Sequence, residues 1–233
     1  MLGPTDYLLW LLNFSLEVSV LVCAFRRRVF LRYLPLNLAM LGAALANVGE
    51  CYVILHYGLK SPVYRYFYYY SECVLIVLLY FSLFDLYQHV FAELGATKHI
   101  RAASLLLLLA TAGVSFLMVR QIQHHLMGRF VIELSQNLYF VGLVLSYVLW
   151  GAMMKLRETR VQLIQLALSL GVFFSAYSAT YALLNLFPGF EITLRILPPL
   201  LSLWLPVTWT LTLWKVPEEA RLETARLAAS PAR

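Results

Sequence analysis

Seven long apolar stretches, separated by short charged turns, leave this chain one kind of fold. A helix needs about 20 mostly apolar residues to cross a hydrocarbon core of about 30 Å. Segments 7–25, 35–57, 63–88, 103–119, 130–154, 161–187 and 196–214 meet that requirement. The turns between them leave no room for an inserted soluble domain. Lipid offers backbone amides no water to bond. Stretches this long and continuously apolar suit helices, not the ten-residue strands of a membrane barrel. The sequence therefore predicts an all-α integral membrane protein, with a seven-transmembrane-helix bundle over 1–216 and a short tail over 217–233. Only 13% of the 233 residues are charged, about half the share in a soluble domain. That excludes a soluble enzyme, a disordered chain, a collagen and a disulfide scaffold.

Charge placement sets an orientation. No Lys or Arg precedes Tyr7, whereas Arg26, Arg27 and Arg28 follow the first stretch. A secretory leader has the opposite order, so this stretch reads as a retained first span. With the N-terminus outside, 13 of the 18 Lys and Arg fall on the cytoplasmic side, as the positive-inside rule requires. They include Arg32, Lys98, Arg101, Lys155, Arg157, Arg160, Lys215, Arg221, Arg226 and Arg233, while Lys60, Arg65, Arg120, Arg129 and Arg195 lie outside. The expected location is the plasma (cytoplasmic) membrane, a cell inner membrane, crossed many times. The net charge of +6 then faces anionic lipid headgroups rather than nucleic acid.

Two stripes of small residues predict close helix contacts. The sixth span carries Ala167, Gly171, Ser175 and Ala179 at spacings of four, and the second carries Ala39, Gly42, Ala43, Ala46 and Gly49. Both helices are expected in the middle of the bundle. Pro198 and Pro199 suit the start of the seventh span. Pro206 lacks the N–H that would bond Ser202 and predicts a kink.

The acids within the spans carry the functional reading. A charge at the bilayer centre costs about 2.5–3.5 kcal/mol on an insertion scale, yet Glu17, Glu50, Glu72, Asp85 and Glu133 all fall inside apolar stretches, with no deep Lys or Arg to pair with them. Counting 1.5 Å per residue from the outer end places Glu17, Glu50 and Glu72 about 15, 11 and 13 Å deep, in one layer on three helices. Glu133 is shallower, and Asp85 lies near the cytoplasmic end beside Lys98 and Arg101. Helical spacing puts Asn13 with Glu17, Asn47 with Glu50, and Tyr68 with Glu72. It also groups Glu133 with Gln136 and Asn137, and Tyr177 with Tyr181 and Asn185. Such a layer binds a proton, a cation or an amine, or it serves as hydrogen-bonding glue between helices.

Five tyrosines crowd the run Tyr64-Arg65-Tyr66-Phe67-Tyr68-Tyr69-Tyr70. They exceed an interfacial belt, so some face inward, where ring faces attract an organic cation. The pairs Glu50-Cys51 and Glu72-Cys73 hint at a metal site. Adjacent helical residues point about 100° apart, however, so the three cysteines, Cys23 included, read as small buried groups. His124 and His125 read as a solvated turn, and His56 lies nearer the Glu50 layer. No zinc-protease, redox, hydrolase or phosphate-loop motif is present. A retinal-binding lysine deep in the last span is also missing, since Lys215 sits at the edge. The tail, with Glu218, Glu219, Arg221, Glu223 and Arg226, reads as one short helix after Pro217, with no output chemistry.

The resulting expectation is non-enzymatic. It is a receptor-like, sensor-like or accessory membrane subunit with an outward-opening polar and aromatic pocket. The pocket would use Glu17, Glu50 and Glu72 with Asn13, Asn47, Tyr68, Glu133, Gln136, Tyr177 and Tyr181. No catalytic residue, metal or cofactor is assigned. Expected partners are membrane lipids, a small cationic ligand, and a separate protein on the cytoplasmic side or within the membrane. The alternative is a small proton- or cation-coupled transporter using the same acids. Against it stand the lack of an internal repeat and of a pair of broken helices. An intramembrane enzyme ranks third.

Overall fold

The structure is a computed structural model that describes residues 4–92, 97–120, 126–187, 197–217 and 220–221. Six long helices account for most of it: α1 (Pro4–Arg26), α2 (Leu34–Tyr57), α3 (Pro62–Val90), α4 (Thr97–Arg120), α5 (Leu126–Lys155) and α6 (Val161–Leu186). Each is long and apolar enough to cross a membrane. The last apolar stretch forms two shorter helices, α7 (Leu197–Ser202) and α8 (Trp204–Lys215). The fold is an all-helical bundle, and among the described residues its only β-type pairing is an isolated bridge between Arg160 and Arg221.

The helices form a ring. α1 packs on α2, α2 on α3, α3 on α5, α5 on α6, α6 on α8, and α8 back on α1, while α4 lies against α3 and α5. α3 and α6 also touch across the centre. Of the most apolar stretch of each, 50% of α3 and 56% of α6 is buried, against 22% of α2. This corrects the central placement of α2. Its small residues mark a close approach to one neighbour, α3, rather than burial on all sides.

Close approaches by glycine fix the interfaces. A Cβ at Gly142 of α5 would lie 2.5 Å from the Phe174 ring of α6, and one at Gly171 of α6 would enter the Trp150 indole of α5. Trp150 Nε1 also donates to the Ala167 carbonyl at 3.2 Å. Aromatic rings therefore fill what side chains on these glycines would occupy, and the backbones come close enough for dispersion to hold them in lipid. The core beneath includes Trp209, Tyr80, Phe174, Leu138, Leu149 and Leu170, all fully buried. Leu55, Leu106, Leu109 and Met154 are instead at least 70% exposed. An apolar exterior around a packed centre is what a hydrocarbon solvent favours.

Buried hydroxyls bond backbone carbonyls. Tyr80 donates to Ser104 of α4 at 3.0 Å and Tyr87 to Leu145 of α5 at 2.6 Å. Ser146 and Thr180 bond back to Gly142 and Ala176 of their own helices, as polar side chains in apolar surroundings commonly do.

The ends of the helices explain their boundaries. Ser61 caps α3, its hydroxyl accepting from Tyr64 N at 3.1 Å, and Pro62 follows it where a missing N–H costs little. α1 and α5 both end with an arginine in the left-handed region, Arg28 at φ 58° and Arg157 at φ 53°. In each turn the next amide reaches back five residues, Val29 to Ala24 at 3.0 Å and Glu158 to Met153 at 2.9 Å. This is a glycine-type helix ending built with arginine. Both turns lie at the end that also carries Arg26, Arg27, Arg32, Lys155 and Lys215, called here the arginine-rich end.

Pro206 has the effect expected of it. Its ring displaces the carbonyl four residues back, at Ser202, and the hydrogen-bond ladder is interrupted at Leu203, whose backbone stays right-handed at φ −70° and ψ −22°. The gap is bridged by the Leu203 amide to the Leu200 carbonyl at 3.3 Å and by Ser202 Oγ to the Pro199 carbonyl at 2.8 Å.

Candidate functional site

Glu17 is 3% exposed, and its Oε2 accepts from Asn47 Nδ2 of α2 at 2.7 Å. The Trp10 indole holds the same asparagine by its backbone, Nε1 to the Asn47 carbonyl at 3.2 Å. One turn of α1 thus positions both ends of the contact. Glu72 of α3 is half-buried. Its Oε1 accepts from the Tyr181 hydroxyl of α6 at 2.6 Å, and the Tyr139 hydroxyl of α5 lies beside it. Glu50 stands between these two groups, within electrostatic reach of Glu17 on one side and Glu72 on the other. The structure therefore brings together the three glutamates that counting had placed at one level. They form a row along α1, α2 and α3, and no lysine or arginine among the described residues contributes to their electrostatics.

An aromatic wall closes the α5–α6 side of the row. Tyr139 and Tyr177 stack nearly parallel with centroids 4.7 Å apart, and Tyr139 and Tyr181 lie 5.5 Å apart. Phe173 tilts against Tyr177 at 4.5 Å. Tyr68, one turn before Glu72, lies within electrostatic reach of Glu72, Glu50 and Tyr177. The tyrosine run divides as a helix requires: Tyr66 and Tyr70 point outward, Phe67 sits against Gly49 of α2, and Tyr68 turns inward.

Other expected members take different places. Asn13 has a buried Oδ1 with no hydrogen-bond partner among the described residues. Glu133 and Gln136 are half-buried, and among the described residues no hydrogen bond joins them to Glu72. Asn137 turns toward α4, donating to Ser115 Oγ at 2.9 Å. His56 is exposed, bonds the Tyr52 carbonyl of its own helix at 3.0 Å and packs on the Tyr52 ring. It therefore belongs to the surface rather than to the Glu50 layer. Asp85 lies 3.7 Å from His89. The three cysteines are free thiols, and no cluster of metal-binding side chains occurs among the described residues. Asn185, Lys98 and Arg101 side chains, His124, His125, Arg195, Glu218, Glu219, Glu223, Arg226 and Arg233 lie outside the described residues.

Tyr139 is the member that span-by-span reading missed. Its signal is a stripe on α5, Ser135, Tyr139, Gly142 and Ser146, all buried at helical spacing. A polar-and-small face in an otherwise apolar span marks an inward surface. Two apolar clefts indent the surface elsewhere. One of about 290 Å³ flanks the α7–α8 break, and one of about 250 Å³ lies between α2 and α3. Neither is lined by a glutamate of the row. Comparison of the chain with protein-family models, curated proteins and solved structures returns no match.

Proposed function

We propose that this chain is a multi-pass membrane protein, N-terminus outside and C-terminus cytoplasmic, that takes up protons or a small cation on the row Glu17–Glu50–Glu72. In this reading α7 and α8 together make the seventh crossing, and the arginine-rich end faces the cytoplasm. The protein acts as a sensor-like or accessory subunit, receptor-like in topology. Any output is assigned to a separate protein partner in or beneath the membrane.

The supporting observation is the uncompensated row itself. Glu17 is buried and Glu50 and Glu72 are half-buried, all within electrostatic reach along the row, and the side chains that bond them are an amide and a tyrosine hydroxyl. Desolvated carboxylates without a counter-charge are costly, so electroneutrality requires protons or a cation. Tyrosine faces add attraction for an organic cation.

The test is substitution of Glu17, Glu50 and Glu72 by Gln, singly and together, in reconstituted protein. The reading expects proton or cation uptake to fall at least tenfold in the triple variant, and unchanged uptake would reduce the row to helix glue. Coupled transport is the second reading, and the break at Leu203 favours it, because transporter sites are commonly built at interrupted helices. Gradient-driven accumulation in proteoliposomes, abolished by the same substitutions, would select transport. Binding without flux would select the sensor-like reading.

A further inference from the structure

The tyrosines that face Glu72 also reach the interrupted helix. Tyr181 bonds the Glu72 carboxyl at 2.6 Å. Tyr177, one turn earlier on the same face of α6, donates its hydroxyl to the Pro198 carbonyl of α7 at 3.2 Å. Tyr139 lies against both rings and beside the Glu72 carboxyl. A continuous path of three rings therefore joins one carboxyl to a six-residue helix whose far end is not part of a regular ladder.

That helix is anchored on its C-terminal side. Beyond Leu203 the chain is fixed, because Trp204 Nε1 bonds the Ser169 carbonyl at 3.0 Å and Trp209 Nε1 bonds Ser169 Oγ at 2.8 Å. Before Leu203, Leu200 is exposed, and the 290 Å³ cleft opens between Phe173 and Ala176 of α6 and Leu200, Leu203, Trp204 and Val207. Phe173 also packs on Tyr177, so the same ring borders both the path and the cleft. A stiff segment, a break, an anchored continuation and adjoining space are the parts of a hinge.

Resting on the uptake reading above, we infer that the occupancy of Glu72 sets the position of α7, with Tyr181, Tyr139 and Tyr177 as the coupling and Leu203 as the hinge. A proton or cation at Glu72 changes what its oxygens can accept. Tyr181 then re-orients, the stacked rings follow, and Tyr177 loosens its hold on Pro198. The groups within electrostatic reach of Glu72 that share in the response are Glu50 from α2, Tyr68 and Cys73 from α3 itself, Tyr139 from α5, and Tyr177 and Tyr181 from α6. From α4, no described group contributes.

The experiment is a pulsed-EPR distance measurement in liposomes between spin labels at Leu200→Cys and Tyr70→Cys, both exposed positions, with the native cysteines replaced. The wild-type background should show a shift of a few ångströms between pH 5 and pH 8. Tyr177→Phe, which removes one hydroxyl, should abolish the shift, and Glu72→Gln should lock one position. Pro206→Ala, which restores the ladder, provides an independent variant and should also abolish it. A distance that ignores pH, or a shift that survives Tyr177→Phe, overturns the coupling. If uptake depends on Glu72 while α7 stays still, the uptake reading stands and the hinge falls. If wild-type protein shows no uptake, both fall.

Discussion

Glu158 sits in the turn between α5 and α6, outside the apolar spans. Its two oxygens grip the Arg160 guanidinium at 2.8 and 2.6 Å, and Oε1 also accepts the amides of Thr159 and Arg160. The Arg160 fork, ahead of any other cause, holds the Glu158 carboxyl below the usual carboxylate range, against an opposing effect of burial. A carboxyl lowered in this way stabilises the fold above its unfolded value, near 4.3, and loses that contribution as pH falls through the folded value. Glu158→Gln should therefore lower stability by about 1 kcal/mol at pH 7. The difference in melting temperature from wild type should be constant from pH 5 to 8 and close as pH drops toward 3; a gap that persists there would show that the ion pair is not its source. In the next position back, Arg157 holds a left-handed backbone. A side chain there costs about 1–2 kcal/mol, partly offset by the chain entropy that glycine adds to the unfolded state. Arg157→Gly should raise the melting temperature, with a net gain of about 0.5–1 kcal/mol, and a lower value would mean that Arg157 makes a contact worth more than the strain. At this scale the level of Glu17, Glu50 and Glu72 was legible, because helical rise converts residue counts into depth. Tyr139 was not, because its relevance comes from α6 lying beside α5, a fact of packing that spacing within one span does not contain.

Between helices, small residues proved a sound guide to contact and a poor guide to centrality. Gly171 lies under Trp150, and Ala167 accepts that indole's hydrogen bond. Ser175, in the same stripe, is half-buried and Ala179 is exposed, so the stripe is an interface for half its length. Gly171→Leu should drive the leucine into the indole and cost about 1–3 kcal/mol, read as lower melting temperature and loss of Trp150 fluorescence order. Gly113→Leu on α4, where nothing lies within 4 Å, is the matched control and should be neutral; equal losses would remove the argument from close approach. Pro206 was legible as a kink. The anchoring of α8 through Ser169, which holds both Trp204 and Trp209, was not, because it depends on α6 lying beside α8.

Taken as a whole, the chain separates its charges by end. Arg26, Arg27, Arg28, Arg32, Lys155, Arg157, Arg160, Lys215 and Arg221 crowd one end of the bundle. Arg27 there donates to the Trp214 carbonyl at 2.5 Å, and the α6 amide of Val161 bonds the Ala220 carbonyl at 3.2 Å. The turn around Arg157 should accordingly face the cytoplasm. A single cysteine placed at exposed Lys155 in intact cells should react with a membrane-impermeant maleimide only after permeabilisation, and one at exposed Lys60 should react before it. The reverse pattern would invert the topology and with it the side from which the glutamate row is supplied.

The row of acids also bears on how the chain is made. Its members lie on α1, α2 and α3, which leave the ribosome before α5 and α6, and the hydrogen-bond partners of Glu17 and Glu72 come from helices made later. Until α2 is in place Glu17 lacks its asparagine, and until α6 follows Glu72 lacks its tyrosine. Biogenesis must therefore accommodate a half-finished bundle in which Glu17 waits 30 residues for its asparagine and Glu72 waits 109 for its tyrosine.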